Sequence, residues 1–497
     1  MVASAVFLFV FLTTKRAGTG HHHDDPPASG AARRIAVVLP RIRETPHVEV
    51  RLADRIYSGH VLAVGNRKVH AFLGVPYAQP PLGSLRFRKP VPLGPPRPLG
   101  DLVMARSKRF PCPQNQPWNM RSVPSLDVNV TEDCLHLNVW APADSSRERR
   151  AVVVFLHGGG FQIGSNDREA NDGSLLSAEG DVVVVAPNYR LNAFGFLNGH
   201  VPDAPGNMGL HDVILALRWV HQNIVHFGGS PGNITLVGRD AGAVLAGYVM
   251  VSPVVRGLVR RYILLSGSPF WILPDNRGAA SVQNLKALAK RLKCNQSENV
   301  FDAIRCLSRV NIYSFIDMVD LSQFSMYPSD QDQVLPFPMP AGLINAATYG
   351  AEDVLLGNEA SIGESLVAPF LTMSLEGVLK RSLRSFGSTF LKKYGCKDAA
   401  EAMKAYDVYG AANKSVAFAD LVADFVVRCP LQFLADELAR RGRRVFYFVL
   451  KSNPAWTGIM DQSLFLGQPL GDSSAPPDLV ALSKNVIYTW STFTKTG

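Results

Sequence analysis

The chain has 497 residues, of which 47% are hydrophobic and 19% are charged. That composition excludes a wholly disordered protein, and the length is enough for a large core, which we expect to belong to one domain. The net charge of +10 favours acidic partners, but the basic residues are scattered and no nucleic-acid motif accompanies them. We therefore predict no nucleic-acid partner.

The first predicted element is an apolar run from Ala5 to Leu12. It is too short to span a bilayer and has the length of a signal-peptide core. The following stretch is rich in Gly, Pro, Ala and charge, and its three histidines are typical of a flexible tract rather than a metal site. We predict a signal peptide and leader at 1–34, one domain at 35–497, and a secreted or cell-surface protein without a metal ion or cofactor.

Short apolar runs rich in β-branched residues alternate with helical stretches and lie at 151–156, 181–188, 234–238, 262–267, 353–357 and 445–450. This alternation predicts a mostly parallel sheet covered by helices on both faces, which is an α/β fold. Residues 209–229 have apolar residues at helical spacing and end at a glycine pair, which predicts a long helix. The Pro-rich segment 327–340 is predicted to be a surface loop.

The segment TLVGRDAGAVLAG, residues 235–247, has the pattern of a nucleophile elbow, in which a strand, a sharp turn and a helix follow one another. The turn usually reads Gly-x-Ser-x-Gly, but Asp240 stands at the serine position. An aspartate has no hydroxyl for an imidazole to deprotonate. It can instead attack an alkyl carbon, as the aspartate at this elbow does in haloalkane dehalogenases and epoxide hydrolases, but that route needs a histidine to activate water.

Histidine positions restrict the chemistry further. All twelve histidines lie at or before position 226, so none follows the elbow. A triad built on such an elbow has its histidine after the nucleophile in the chain. No conventional serine, acid and histidine triad can be assembled from such a chain. The nearest histidine, His157, belongs to a glycine-rich turn, and we predict a structural role for it.

The cysteines and sequons are consistent with a secretory route. Two cysteine pairs are spaced to close short loops, and three states remain open for the other two cysteines: a bond to each other, free thiols, or a partner beyond Gly497. The paired positions are Cys112 with Cys134 and Cys294 with Cys306, and the others are Cys396 and Cys429. Glycosylation is predicted at Asn129, Asn295 and Asn413. A fourth sequon, at Asn233, is the weakest because it adjoins a predicted strand.

Several separate motifs resemble the type-B carboxylesterase and cholinesterase family of α/β-hydrolases from about residue 50 onward. They read FLGVPYAQPPLGSLRF at 72–87, TEDCLHLNVW at 131–140, HGGGF at 157–161, NYRLNAFGFL at 188–197, GNMGLHD at 206–212 and LLSGSP at 264–269. The resemblance implies a large central sheet with helices on both faces and supports both predicted disulfides. It also implies that Cys429 bonds a cysteine past Gly497, so we expect a truncated C-terminus that leaves any membrane anchor unseen.

The resemblance assigns an oxyanion hole to Gly159, Gly160 and Ala241, because N–H groups at such positions can approach a bound carbonyl. We predict that the Asp240 carboxylate accepts hydrogen bonds from these donors or from Arg239, which would compensate a buried charge. Arg239 replaces a glutamate that is common in the family, and its cation is expected to repel choline-like substrates.

The remaining triad positions also differ from the family pattern. The resemblance aligns Ile362 with the acid and Asp461 with the histidine, although Glu359 or Glu364 could blur the first assignment. With Asp240 in place of the serine, we expect no catalytic residues and regard these positions as a degenerate triad.

The sequence is similar in this respect to the cholinesterase-like adhesion molecules, which include neuroligins, neurotactin, gliotactin and glutactin. This similarity implies a catalytically inactive extracellular protein that binds a cell-surface or other protein partner, and a homodimer is compatible with it. Two alternatives stay open: an active ester hydrolase or Asp-nucleophile hydrolase with a non-standard site, and a pocket that binds hydrophobic ligands without cleaving them.

Overall fold

The computed structural model describes residues 47–52, 55–94, 101–114, 129–144, 148–271, 276–294, 299–318, 326–330, 332–336, 351–364, 366, 387–388, 391–392, 396–406, 408, 413–451 and 461–497. The predicted leader at 1–34 and the sequon at Asn295 lie outside these residues. Residues Thr45–Gly497 form one compact unit.

One mixed sheet of eleven strands dominates the described part of the chain, and two further strands form a small hairpin. The strands are β1 (His47–Arg51), β2 (Arg55–Val64), β3 (Arg67–Pro76), β4 (Asp101–Met104), β5 (His136–Pro142), β6 (Arg150–Leu156), β7 (Val183–Pro187), β8 (Asn198–Val201), β9 (Ala204–Pro205), β10 (Gly229–Arg239), β11 (Arg261–Leu265), β12 (Asp353–Glu359) and β13 (Arg444–Leu450). Their order across the sheet is β1-β2-β3-β5-β7-β6-β10-β11-β12-β13, with β4 paired to β2.

In the described part of the chain, helices lie between six of the twelve pairs of consecutive strands. The helices are α1 (Ser174–Gly180), α2 (Asn192–Phe196), α3 (Met208–Asn223), α4 (Ala241–Val251), α5 (Gly278–Arg291), α6 (Val300–Leu307), α7 (Ile312–Met318), α8 (Ala399–Ala405), α9 (Lys414–Ala423), α10 (Cys429–Arg440), α11 (Asp461–Leu466), α12 (Gln468–Gly471) and α13 (Pro477–Thr496). A π-helical turn, Asp424–Arg428, joins α9 to α10. Within the described ranges, no helix is both long enough and apolar enough to cross a bilayer.

The apolar runs predicted from the sequence form the parallel half of the sheet. Strands β7, β6, β10, β11, β12 and β13 pair in parallel, in that order. Alternate residues of a strand face opposite sides, and in β6 Val152 and Val154 join one buried cluster while Val153 and Phe155 join the other. Helices cover both faces because both faces are apolar, so the predicted fold class is confirmed.

The antiparallel half was not predicted. Strands β1, β2, β3 and β5 pair antiparallel, and β5 pairs antiparallel with β7. In β1, residues His47–Arg51 alternate between exposed and half-buried positions, so the strand buries only one face. Such a short alternating pattern gives a weaker sequence signal than a continuous apolar run.

The long helix is confirmed, whereas the predicted surface position of segment 327–340 is wrong for its described part. Helix α3 ends at Asn223, a 3₁₀ turn follows, and Gly228 closes it with φ 81°. In the Pro-rich segment, Val334 and Leu335 are each 1% exposed. The Asn207 amide donates to the carbonyl of Ser329 at 2.7 Å and thereby satisfies a buried backbone group.

Both predicted disulfides are present. Cys112 bonds Cys134 and Cys294 bonds Cys306, which close loops of 22 and 12 residues. Cys396 and Cys429 are free thiols, so the possibility that they pair with each other is excluded in this structure.

The sequons differ in their surroundings. Asn129 and Asn413 are exposed, and Asn413 caps helix α9 by accepting from the N–H of Val416 at 3.2 Å. The amide oxygen of Asn233 accepts from Arg261 at 2.7 Å, inside strand β10. Glycosylation at Asn129 and Asn413 stays a prediction.

Candidate functional site

The turn after strand β10 has the sharp backbone of a nucleophile elbow. Asp240 adopts φ 53° and ψ −120°, a region that residues with a side chain rarely occupy. Glycine is needed on both sides, because a Cβ on Gly238 would collide with the carbonyl of Gly242, and one on Gly242 with that of Leu156. The strand, turn and helix predicted for 235–247 are therefore confirmed.

The Asp240 carboxylate is bonded to the glycine-rich turn. The N–H groups of Gly159 and Gly160 donate to Oδ2 of Asp240 at 2.7 and 2.8 Å. Both glycines have positive φ, at 121° and 59°, so the turn aims two successive N–H groups at one point. Two bonds of this kind compensate the charge of a carboxylate that is only partly exposed.

Ala241, the third residue assigned to the oxyanion hole, follows Asp240 directly and is the first residue of helix α4. Asp240 is thus the N-cap residue of α4, where the helix dipole favours negative charge, although its side chain accepts no N–H of that helix. All three assigned residues lie next to Asp240, and their role as oxyanion donors stays a prediction.

Arg239 joins two carboxylates beside the elbow. Its Nε–H donates to Oδ1 of Asp461 at 3.1 Å, and Nη2 lies 3.6 Å from Oε1 of Glu359. Burial opposes the cation, but the carboxylates of Asp461 and Glu359 raise the pKa of Arg239 above its ordinary value. The Arg239 cation is thus paired with two acidic side chains, and its effect on choline-like substrates stays a prediction.

Asp461 is the first residue of helix α11 and is fully buried. Its Oδ2 accepts from the hydroxyl of Ser266 at 3.0 Å, and its N–H donates to Oε1 of Glu359 at 2.9 Å. Among the described residues, its side chain bonds Arg239, Ser266 and the N–H of Gln462, but not Asp240. The sequence analysis did not consider Ser266 as a site residue, although it lies in the quoted motif at 264–269.

Glu359 and Glu364, the two alternative acids, differ in their exposure. Glu359 ends strand β12 and is 4% exposed, whereas Glu364 is exposed. Burial and the neighbouring Asp461 raise the pKa of Glu359 to about 7, against the opposing effect of Arg239. Ile362 is buried at 3% and has no ionisable group. Of these three side chains, only Glu359 therefore joins Arg239 and Asp461. These three residues are called the Arg239 cluster below.

His157 lies under the glycine-rich turn. Its ring stacks on Tyr189 with centroids 4.4 Å apart, and its Nδ1 lies 3.0 Å from the carbonyl oxygen of Gly158. Its Nε2 is buried and has no hydrogen-bond partner in the described structure. Burial lowers the pKa of His157 to about 4, so the ring is neutral at pH 7.

The site does not resemble a metal centre. The carboxylates of Asp461 and Glu359 are turned towards Arg239. Nowhere in the described ranges do three or more His, Cys, Asp or Glu side chains form a group that could hold a metal ion. The chemistry that the site can offer is a carboxylate at an elbow, beside backbone donors and a buried ion-pair cluster.

The sheet order, the elbow after β10 and the glycine turn that faces it define an α/β-hydrolase fold. The chain belongs to the Carboxylesterase family, whose pattern matches residues 45–497.

Several cholinesterases are similar to this chain. Acetylcholinesterase-1 of Trittame loki is 32% identical over 87% of this chain and 83% of its own length. Acetylcholinesterase of Bungarus fasciatus is 30% identical over 88% of this chain and 77% of its own length. Cholinesterase of Mus musculus is 31% identical over 86% of this chain and 75% of its own length.

Proposed function

We propose that this protein is a non-hydrolytic, extracellular member of the carboxylesterase family that acts by binding a protein partner. The observation that supports the loss of hydrolysis best is the bonding of Asp240 to the N–H groups of Gly159 and Gly160. In acyl transfer, those donors stabilise the negative charge that develops on the substrate carbonyl oxygen. Here Oδ2 of Asp240 occupies both donors, so an incoming carbonyl finds them already bonded to the protein itself.

The Arg239 cluster supports the same proposal. A general base must reach the nucleophile and accept a proton near neutral pH. Asp461 instead holds Arg239 and Ser266, and Glu359 lies in the same cluster. No histidine follows residue 226. Among the described residues, the aspartate aligned with the base is therefore engaged with Arg239 and Ser266, and the position aligned with the acid is the apolar Ile362.

Two observations support an extracellular location and a partner. Two disulfides form, and disulfides persist in oxidising compartments. A folded protein that does not hydrolyse a substrate can still act by binding. The surface loops of a rigid scaffold commonly carry the residues that recognise a partner. We take the partner to be an extracellular or cell-surface protein.

Hydrolysis of a short-chain nitrophenyl ester tests the first half of the proposal. The wild-type protein, Asp240→Ala and Asp240→Ser are all expected to show no turnover above buffer. Asp240→Ser is included because a serine without a histidine stays un-ionised and should not recover activity. Mouse cholinesterase verifies the assay, and circular dichroism verifies folding. Wild-type turnover that disappears in Asp240→Ala would show that the protein is a hydrolase with a carboxylate nucleophile.

Binding to intact cells tests the second half. The labelled, folded protein is expected to bind saturably to cells that display its partner, and mild trypsin treatment of those cells should remove most of that binding. Heat-unfolded protein is the control and should bind without saturation. Saturable uptake of hydrophobic small molecules, combined with no protease-sensitive binding on any cell type, would favour a ligand-binding role instead.

A further inference from the structure

An open surface cavity of about 630 Å³ is distinct from the candidate site. Its two walls are the segment 85–91, which follows strand β3, and the hairpin of strands β8 and β9. None of the eight described residues that line it belongs to the elbow, the glycine turn or the Arg239 cluster. Ligand pockets commonly enclose about 300–1,000 Å³, so this cavity has room for a small organic molecule.

The lining of the cavity combines apolar and basic side chains. Its half-buried members are all apolar, and they are Leu85, Val91, Val201 and Pro205. Three of its four exposed members are basic, and they are Arg88, Lys89 and His200. The less exposed part of the lining is therefore apolar and the more exposed part is basic, which suits a molecule with an apolar body and an anionic group.

Lys89 supplies a positive charge that the protein does not neutralise locally. Nη2 of Arg88 lies 2.5 Å from Oδ1 of Asp203, whereas no carboxylate in the described part of the chain lies within ion-pair distance of the Lys89 ammonium. Burial and then the neighbouring Lys89 cation lower the pKa of His211 to about 4, against the opposing effect of Asp332. The positive potential of Lys89 thus reaches a neighbouring side chain and is available to an anion.

We infer that this cavity binds a small carboxylate with an apolar body. The carboxylate pairs with the Lys89 ammonium, and the body contacts the apolar lining and displaces water from it. A cationic molecule of the same shape meets Lys89 as a like charge. This inference goes beyond the proposed function and does not depend on the loss of hydrolysis, because the cavity shares no lining residue with the candidate site.

Both walls of the cavity are held in place by the protein itself. The buried Arg190 donates from Nη1 to the carbonyl oxygen of Arg88 at 2.8 Å in the first wall. In the second wall, Nε2 of His200 lies 2.9 Å from Oγ of Ser281 on helix α5. The ion pair of Arg88 with Asp203 joins the two walls. Little ordering of the protein is therefore needed on binding, which favours affinity.

Calorimetric titration with 2-naphthoate tests the inference, and 2-naphthylmethylammonium is its cationic counterpart. The wild-type protein is expected to bind one naphthoate per chain saturably and to bind the cation about tenfold more weakly. Lys89→Met keeps the apolar stem and removes the charge, so naphthoate affinity should fall about threefold to fivefold. Val201→Trp places a large side chain in the apolar lining and should weaken binding by occupying the space of the ligand body.

The matched control is Lys484→Met, which lowers the net charge by the same amount and should leave naphthoate affinity unchanged. Lys484 is exposed on helix α13, which packs against one buried cluster, whereas Val201 packs against the other. Circular dichroism verifies that each variant is folded.

Three results would overturn the inference: no saturable binding by the folded wild type, equal losses in Lys89→Met and Lys484→Met, or equal binding of the two naphthyl compounds. Partner binding is measured separately on cells, so failure of naphthoate binding leaves the proposed function standing, and failure of partner binding leaves this inference standing.

Discussion

Arg239→Met is expected to lower the free energy of unfolding by about 3–5 kcal/mol at pH 8, because it leaves buried carboxylates without their cation. The side chains of Glu359 and Asp461 are 5% and 0% exposed, so water cannot replace the guanidinium. Methionine keeps the apolar volume of the arginine stem and removes only the charge and its donors. Urea denaturation followed by circular dichroism measures the difference.

The matched control for this change is Arg260→Met. Arg260 pairs with Glu352 at the start of a neighbouring strand, but the two side chains are 43% and 56% exposed. Its loss is expected to cost less than about 1 kcal/mol. Adding Glu359→Gln to Arg239→Met should recover part of the stability, because one unpaired charge disappears. Equal effects of Arg239→Met and Arg260→Met would show that the buried cluster does not stabilise the fold.

The stability of the protein is expected to fall by roughly 3 kcal/mol between pH 4.5 and pH 7 through Glu359 alone. Burial and Asp461 raise the pKa of Glu359 from 4.5 to about 7 in the folded protein. In that window the unfolded chain has already released the proton while the folded chain still binds it. The contribution is therefore fully present below the unfolded pKa and is lost as the pH rises through the folded pKa.

Glu359→Gln tests this pH dependence, because glutamine resembles the protonated acid and cannot ionise. Its carbonyl oxygen can still accept from the N–H of Asp461, as Oε1 of Glu359 does at 2.9 Å. Unfolding free energies at pH 5, 6, 7 and 8 should show a shallower decline than in the wild type. Glu352→Gln, which changes a carboxylate that is 56% exposed, should keep the wild-type slope. Parallel curves for wild type and Glu359→Gln would contradict the prediction.

Together these two variants separate the roles of the cluster. Below pH 7 Glu359 retains its proton, so Arg239 is balanced mainly by Asp461. Above pH 7 the cluster gains a second negative charge, and Arg239 becomes more important. The effect of Arg239→Met is therefore expected to be larger at pH 8 than at pH 6.

Much of the fold could be predicted because its signals are local. Strands such as β6 and β7 are continuous apolar runs, and the elbow is recognisable from glycines on both sides of Asp240. The antiparallel strands β1, β2, β3 and β5 were not predicted from the sequence. For β1, which has five residues and buries only one face, the alternating pattern is a weak signal. Segment 327–340 shows the opposite error, since proline suggested a surface loop and Val334 and Leu335 are buried.

The residue types of the candidate site were predictable from the sequence, and its contacts were predictable only in part. Asp240, Arg239 and Asp461 were all identified from the sequence, and so was the absence of a histidine after residue 226. A hydrogen bond between the Asp240 carboxylate and either the glycine turn or Arg239 was also expected. The structure has the first of these alternatives.

By itself, the sequence determined the parallel core, the position of the elbow and the absence of a histidine between the elbow and Gly497. Only the tertiary structure decided that Asp240 bonds a turn 81 residues away and that Arg239 bonds an acid 222 residues away. The physical reason is that strand and turn patterns depend on neighbouring residues, whereas the pairing of buried charges depends on which strand ends the sheet order brings together. Arg239 and Glu359 end strands β10 and β12, which are separated in the sheet by β11 alone.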